Sequence, residues 1–232
     1  TFGSISLHQR AMRNMVGERD AQAISAAANA LNTQIDTRLK DMTSASELFA
    51  VSPTQPVTST LGELGYLMPD FDAGVAVFNS NNELLGARGN EPAWAYWMTR
   101  PAWQAAYSQL VEQPNTLVVY QDAQSGELLG LISTDLRGKG MLVGAFSINQ
   151  LVESTLSASL PSNKQLSILL VGGNHQILYN AGDFTDQSAA HPGVPEALQG
   201  KSGTLYVKVG SDEHVTAYSP VPSTGWALIT EE

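Results

Sequence analysis

Cysteine is absent from this chain, which excludes a disulfide framework, a thiolate-bound metal and a cysteine nucleophile. Such a composition fits bacterial secreted or periplasmic material. Basic residues are scarce: 12 Lys and Arg stand against 22 Asp and Glu, a formal net charge of −10. The imbalance is uneven, because residues 1–50 hold five acids and five bases while residues 51–232 hold seventeen acids and seven bases. The lack of a basic patch or Lys/Arg run argues against nucleic acid and anionic lipid surfaces as partners. No apolar run reaches 18 residues, the length at which a membrane-spanning helix becomes a candidate, and no secretory leader is visible. The chain opens abruptly at Thr1 and closes in Trp226-Ala-Leu-Ile-Thr-Glu-Glu232, so it reads as a domain excised from a longer protein.

Reactive motifs are also missing. There is no Gly-x-Ser-x-Gly elbow, P-loop or His-Glu-x-x-His, so no catalytic constellation is expected and the fragment reads as a non-enzyme. His8, His175, His191 and His214 are isolated in the sequence, which predicts no zinc site; no cofactor is expected. Gly138, Gly140 and Gly144 faintly suggest a dinucleotide loop. However, Met141–Ile148 alternates like a strand, and a dinucleotide loop must lead into a helix.

Proline is absent before Pro53, and Gly17 is the single glycine between Leu7 and Phe49. Within that stretch Ile24, Ala27, Leu31, Ile35, Leu39, Met42, Ala45 and Phe49 recur in steps of three and four, the spacing of one buried helical face. At 1.5 Å per residue the helix would be roughly 60 Å long. Ser52-Pro53 and Pro56 are expected to end it, since the residue before proline leaves helical geometry. The rest of the chain is expected to pack along the C-terminal half of this spine.

Leu61–Phe71 reads as a connection. Then Val75–Asn79, a polar turn at Ser80–Asn82 and Glu83–Ala87 form a predicted strand pair. Residues 90–111 are aromatic and helical in pieces. Three strands follow, at Thr116–Asp122, Glu127–Thr134 and Met141–Ile148, and Gln150–Leu160 is an amphipathic helix closed by Pro161. The pattern then restarts at a constant offset of 93 residues, with Val75, Val77, Asn81, Leu84 and Leu85 matched by Ile168, Leu170, Asn174, Ile177 and Leu178. A short helix at Val194–Leu198 and strands at Gly203–Val209, His214–Pro220 and Gly225–Thr230 complete it. Two unrelated hairpins sharing common strand residues would give the same offset. The matching order of all five strands favours a structural duplication in an α+β arrangement.

This order resembles the double-Cache extracellular sensor domains of bacterial transmembrane receptors. The phrases that carry the resemblance are Gly140-Met-Leu-Val-Gly144-Ala-Phe-Ser-Ile148, Leu198-Gln-Gly200 and Thr224-Gly225-Trp226-Ala-Leu-Ile229. It implies a long N-terminal helix followed by two tandem PAS-like modules with antiparallel sheets. The expected boundaries are 1–60 for the spine and connection, 61–149 for a membrane-distal module, 150–165 for a linking helix and 166–232 for a membrane-proximal module.

The resemblance also implies a small ligand held in the distal module, between the sheet and the aromatic segment Trp94–Trp103. Arg100 can offer a planar fork of donors to a carboxylate, and Trp94, Tyr96, Trp97 and Trp103 supply apolar walls with polar edges. Tyr120 and Asp122 are two apart on one strand and face the same side; Asp122 can receive an amine, and Tyr120 can close over a methylene chain or cation. The plainer reading keeps the aromatics as core and Arg100 as a surface charge. The amino-acid-binding members of the family place a tyrosine, arginine, tryptophan and tyrosine in tight spacing, then a later tyrosine and aspartate. Here two residues separate Arg100 from Trp103, Tyr96 sits one place nearer Arg100, and Asn149 occupies the final aspartate position. A carboxylate, an amino acid, a small neutral solute and no ligand at all remain open.

The function so implied is the extracytoplasmic ligand-sensing domain of a membrane-anchored signalling receptor, with a histidine kinase as the favoured output. A diguanylate cyclase, a methyl-accepting chemoreceptor or a non-signalling solute-binding module are the alternatives. Residues 7–30 are expected to pair with their copy in a homodimer.

Overall fold

A computed structural model of the chain describes residues 2–51, 54–160, 166–184 and 186–232, the side chains of residues 2–7 excepted. The expected proline stops at Ser52-Pro53 and Pro161, and residues 161–165 of the expected linking helix, lie outside the described residues.

The first helix, α1, runs from Phe2 to Val51, 50 residues. Its buried positions include Ile24, Ala28, Leu31, Ile35, Arg38, Met42 and Ala45. They alternate in steps of four and three, a 3.5-residue repeat instead of the 3.6 of a straight helix. That repeat puts Arg38 on the seam and leaves Leu39 and Phe49, expected there from the sequence, only half-buried. Arg38 is tolerated because it is fully engaged. Its Nε donates to the Asp70 carbonyl at 2.9 Å, its Nη2 lies 3.3 Å from the Asp70 carboxylate, and its guanidinium sits 5.0 Å from the Phe146 ring. Burial pushes its pKa down, against the opposing carboxylates of Asp70, Asp72 and Asp41.

The chain divides into two compact units, one comprising Ile35–Leu151 and the other the residues up to Gln34 together with Val152–Glu232. In the first unit the stretch that reads as a connection is helical: α2 spans Val57–Glu63 and a 3-10 turn spans Leu64–Leu67. Leu61, Leu64, Leu67 and Phe71 are buried, and their steps of three and four are themselves a short helical pattern. The sheet contains β1 (Gly74–Phe78), β2 (Leu84–Arg88), β3 (Leu117–Gln121), β4 (Leu128–Asp135) and β5 (Met141–Ser147). Its order is β2-β1-β5-β4-β3, with every neighbour antiparallel. Between β2 and β3 lie α3 (Glu91–Trp97) and α4 (Pro101–Glu112). All five β1 residues are buried, as expected of a strand covered on both faces. One face carries Ala76, Phe78, Val143 and Ala145 against α3 and α4. The other receives α1 at Gly144, where an added Cβ would lie 2.5 Å from the Phe71 ring and 2.9 Å from the Met42 sulfur.

After α5 (Ile148–Ser159), the second unit repeats the plan. Its strands are β6 (Ser167–Val171), β7 (Ile177–Ala181), β8 (Gly203–Val209), β9 (Asp212–Val221) and β10 (Trp226–Glu231), with α6 (Val194–Leu198) between β7 and β8. The order β7-β6-β10-β9-β8 is that of the first sheet. The offset of 93 survives in detail. β1 and β6 shift register at the same place, between Val77 and Phe78 and between Leu170 and Val171. Asn82 and His175 are both left-handed, as are Gly89 and Gly182. Shared irregularities of this kind go beyond two hairpins with similar composition.

The early turns of α1 pack in this second unit against β8 and β9. Tyr206 donates to the Arg13 carbonyl at 2.7 Å, Arg13 lies 4.0 Å over the Tyr206 ring, and Arg13 meets Glu213 at 2.6 Å. Gly17 makes room for this contact, since a Cβ there would stand 2.7 Å from the Tyr206 hydroxyl. Further along, the Asn32 side-chain oxygen accepts from the Ser223 N–H at 2.7 Å.

Candidate functional site

The aromatic segment is placed by its two prolines. Pro92 lies in the first turn of α3 and Pro101 in the first turn of α4, where the missing N–H costs nothing. Pro101 also holds Arg100 extended, at φ −99° and ψ 139°, so the chain breaks between the two helices. Trp94 and Trp97, three apart, and Trp103 and Tyr107, four apart, then present one face to the sheet.

That face is a continuous aromatic layer. Trp94 lies 5.1 Å from Trp97 and 5.8 Å from Trp103 by ring centroid, and Tyr120 is 5.8 Å from Trp97 and 5.7 Å from Trp103, both edge-on. Phe78 on β1 forms the floor, 5.6 Å from Trp103 and from Tyr107. Trp94, Trp97, Trp103 and Tyr120 are all but fully buried. To this extent the plainer reading holds: these rings are core.

Their polar ends do not behave as core. The Nε1 atoms of Trp94, Trp97 and Trp103, the Tyr120 hydroxyl and Arg100 Nε are buried with no hydrogen-bond partner. Nine in ten or more buried polar groups in folded proteins are paired, and each unpaired one costs about 1–3 kcal/mol. The four aromatic members touch one another through their rings, and Arg100 lies near enough to Tyr120 to act on its charge. Every one of the five can donate, so the guest they suit is rich in acceptors.

The remaining expected residues sit around this layer. Arg100 lies 4.0 Å over the ring of half-buried Tyr96, which fixes the guanidinium by cation–π contact. Burial raises the pKa of the Tyr120 phenol, helped by Asp122 and Tyr96 and opposed by Arg100, so these four side chains share one neighbourhood. Asp122 caps the β3–β4 turn, accepting the Gln124 N–H at 3.0 Å and the Ser125 hydroxyl at 2.8 Å. Burial works against its charge, but the hydrogen bonds from Gln124 and Ser125, with the Trp97 indole leaning the same way, lower its pKa overall. The Trp97 N–H does not reach hydrogen-bond geometry. Asn149 is exposed on the first turn of α5. Asp135 is exposed and accepts the Gly138 N–H of the β4–β5 turn.

Two contributors carry no mark in the sequence. Phe78 reads there as an ordinary strand residue. Asn82 has a buried, unpartnered Oδ1, while its Nδ2 donates to Gln104 at 3.0 Å, tying the β1–β2 turn to α4; its place in a polar turn conceals this role. In the second unit the fold also joins histidines that the sequence shows as isolated. His191 Nε2 lies 2.7 Å from the Glu231 carboxylate and its Nδ1 2.7 Å from the Pro192 carbonyl. His214 is 3.7 Å from the same carboxylate.

No family model matches the chain, and no curated protein does. Solved structures do. The ligand-binding domain of the Pseudomonas aeruginosa amino acid chemoreceptor PctB, in complex with L-Arg, is 19% identical, with 95% of this chain and 93% of that one covered at a TM-score of 0.60. The extracellular domain of a protein assigned as a histidine kinase is 14% identical, covering 96% and 95% at a TM-score of 0.64. The ligand-binding domain of the Campylobacter jejuni chemoreceptor Tlp3, in complex with L-valine, is 13% identical, covering 100% and 96% at a TM-score of 0.61. The chain therefore has the fold of bacterial receptor sensor domains along nearly its whole length.

Proposed function

We propose that this chain is the extracytoplasmic ligand-sensing part of a membrane-anchored signalling receptor, with its ligand in the Ile35–Leu151 unit. The observation that carries the proposal is the cluster of five buried, unpartnered donors on Trp94, Trp97, Trp103, Tyr120 and Arg100, on a fold whose solved examples are sensor domains. A donor-lined, aromatic-walled site suits a carboxylate. With the Asp122 carboxylate beside it an α-amino acid fits as well, in line with the amino acids carried by the similar chemoreceptor domains. Ligand binding would act by differential affinity for two conformations of the receptor. A histidine kinase is the output favoured here, and a chemoreceptor is equally compatible with the shared fold. The fragment itself is read as non-catalytic. Met12 and Met15 on the early turns of α1 are exposed, which supports a homodimer through this segment.

The test is a thermal-shift screen of organic acids, amino acids and amines, followed by calorimetry on the hits. An acid or amino acid is expected to raise Tm saturably, the effect vanishing in Arg100→Ala and surviving Lys208→Ala, an exposed change on β8. Hits indifferent to Arg100→Ala would show that the aromatic layer is not the binding site.

A further inference from the structure

The chain has six methionines. Met42 and Met141 are buried and Met68 and Met98 half-buried, whereas Met12 and Met15 are 56% and 68% exposed. These two lie three apart within α1, and His8, also exposed, stands four residues before Met12. At about 100° per residue the three fall within roughly 60° of one another around the helix axis, so their spacing makes them neighbours on one strip of its surface. Arg13 and Gly17, which meet Tyr206, lie on the opposite side, roughly 150° round the axis. Continuing from Met15 in steps of four and three gives Arg19, Gln22, Ala26, Asn29 and Thr33, all exposed. Only Ala26 among these is apolar. The two thioethers therefore do not belong to an apolar seam running along the helix; with the imidazole they form a separate group confined to two turns.

Their chemistry is of one kind. A thioether sulfur is uncharged, polarizable and only a weak hydrogen-bond acceptor. It is not among the thiolate, imidazole and oxygen ligands that zinc, calcium and magnesium take. Soft sulfur ligands select Cu(I), and imidazole suits copper as well. His8 and Met15 are roughly 10 Å apart along the axis. An imidazole from one side and a thioether with three rotatable bonds from the other can close that gap over Met12.

We propose that His8, Met12 and Met15 form a site for a monovalent soft metal ion, Cu(I), on the face of α1 turned away from Tyr206. The isolation of the four histidines from one another argues against zinc and is no obstacle here, because the partners of His8 are methionines. The site shares no residue with the aromatic layer and does not depend on how that layer is read.

Cu(I), kept reduced with ascorbate under argon, is the probe, offered in competition with the chelator bicinchoninate. The protein is expected to withdraw one ion per chain. His8→Ala, Met12→Leu and Met15→Leu are each expected to weaken binding about tenfold or more, since even the loss of an outer-shell partner costs a metal site that much. Met68→Leu is expected to bind as the parent does. All three site positions are exposed, and leucine keeps the helix propensity and the volume of methionine, so circular dichroism and Tm are expected to match the parent. Equimolar Zn(II) is expected to leave the bound Cu(I) in place. No withdrawal of Cu(I), a ratio of one ion to two chains, displacement by Zn(II), loss of binding in Met68→Leu, or binding untouched when Met12→Leu and Met15→Leu are combined would each overturn the proposal.

Discussion

Tyr120 carries two opposed contributions to folding in one side chain. Its ring is packed edge-on between Trp97 and Trp103, which favours folding, while its hydroxyl is buried without a partner, which opposes it. Tyr120→Phe keeps the first effect and removes the second. The unliganded protein is expected to gain about 1 kcal/mol in urea unfolding, the lower end of the cost of an unmade buried hydrogen bond. Affinity for the acid found by screening is expected to fall about tenfold, the loss of one hydrogen bond to a charged group. A destabilised variant, or one that binds as tightly as the parent, would show that the hydroxyl makes its bond within the protein. Asp122 differs from Tyr120 because its oxygens are already occupied by Gln124 and Ser125, which hold the β3–β4 turn. Arg38 makes the same point about legibility. A 3.6-residue pattern selects Leu39 for the buried face, and only the 3.5-residue seam seen in the fold selects Arg38.

Among the elements, α1 explains its own composition. Its lone mid-helix glycine costs about 1 kcal/mol relative to alanine, and that cost is offset where Gly17 lets Tyr206 reach the Arg13 carbonyl. Two opposed effects of similar size lead to a prediction in the form of a double-mutant cycle. Gly17→Ala alone is expected to leave stability within about 1 kcal/mol of the parent, because helix propensity improves while the Tyr206 hydrogen bond is broken. In a Tyr206→Phe background, where no hydroxyl is left to displace, the same change should stabilise by roughly 1 kcal/mol. Equal effects in the two backgrounds, by thermal or urea unfolding, would rule out the Tyr206 hydroxyl as the reason for the glycine. The strand pairs are legible because each is local: a polar turn between two alternating runs is written in about fifteen consecutive residues. Leu61–Phe71 reads as a connection because its apolar positions are few and Pro69 and Asp70 draw the eye, yet their steps of three and four already specify a turn or two of helix.

For the molecule as a whole, charge gives the simplest expectation. Ten excess negative charges repel one another, whereas the surface ion pairs Arg13–Glu213 and Arg19–Asp20 are of the exposed kind that contributes little. Raising ionic strength from about 0.01 M to 0.15 M shortens the Debye length from roughly 30 Å to 8 Å. Tm at neutral pH is therefore expected to rise, by a few degrees; a fall would mean that attractive pairs outweigh the repulsion.

By itself the sequence determined the order of the strands, the long first helix, the duplication at 93 residues and the aromatic segment, since each rests on spacing within a few turns or one hairpin. Only the tertiary structure decided which indoles and hydroxyls are left without partners, and that His191 meets Glu231 across 40 residues. Those outcomes depend on strand register, where a slip of one residue sends every side chain to the opposite face. Periodicity says that a face is buried; it takes the folded sheet to say what each buried atom touches.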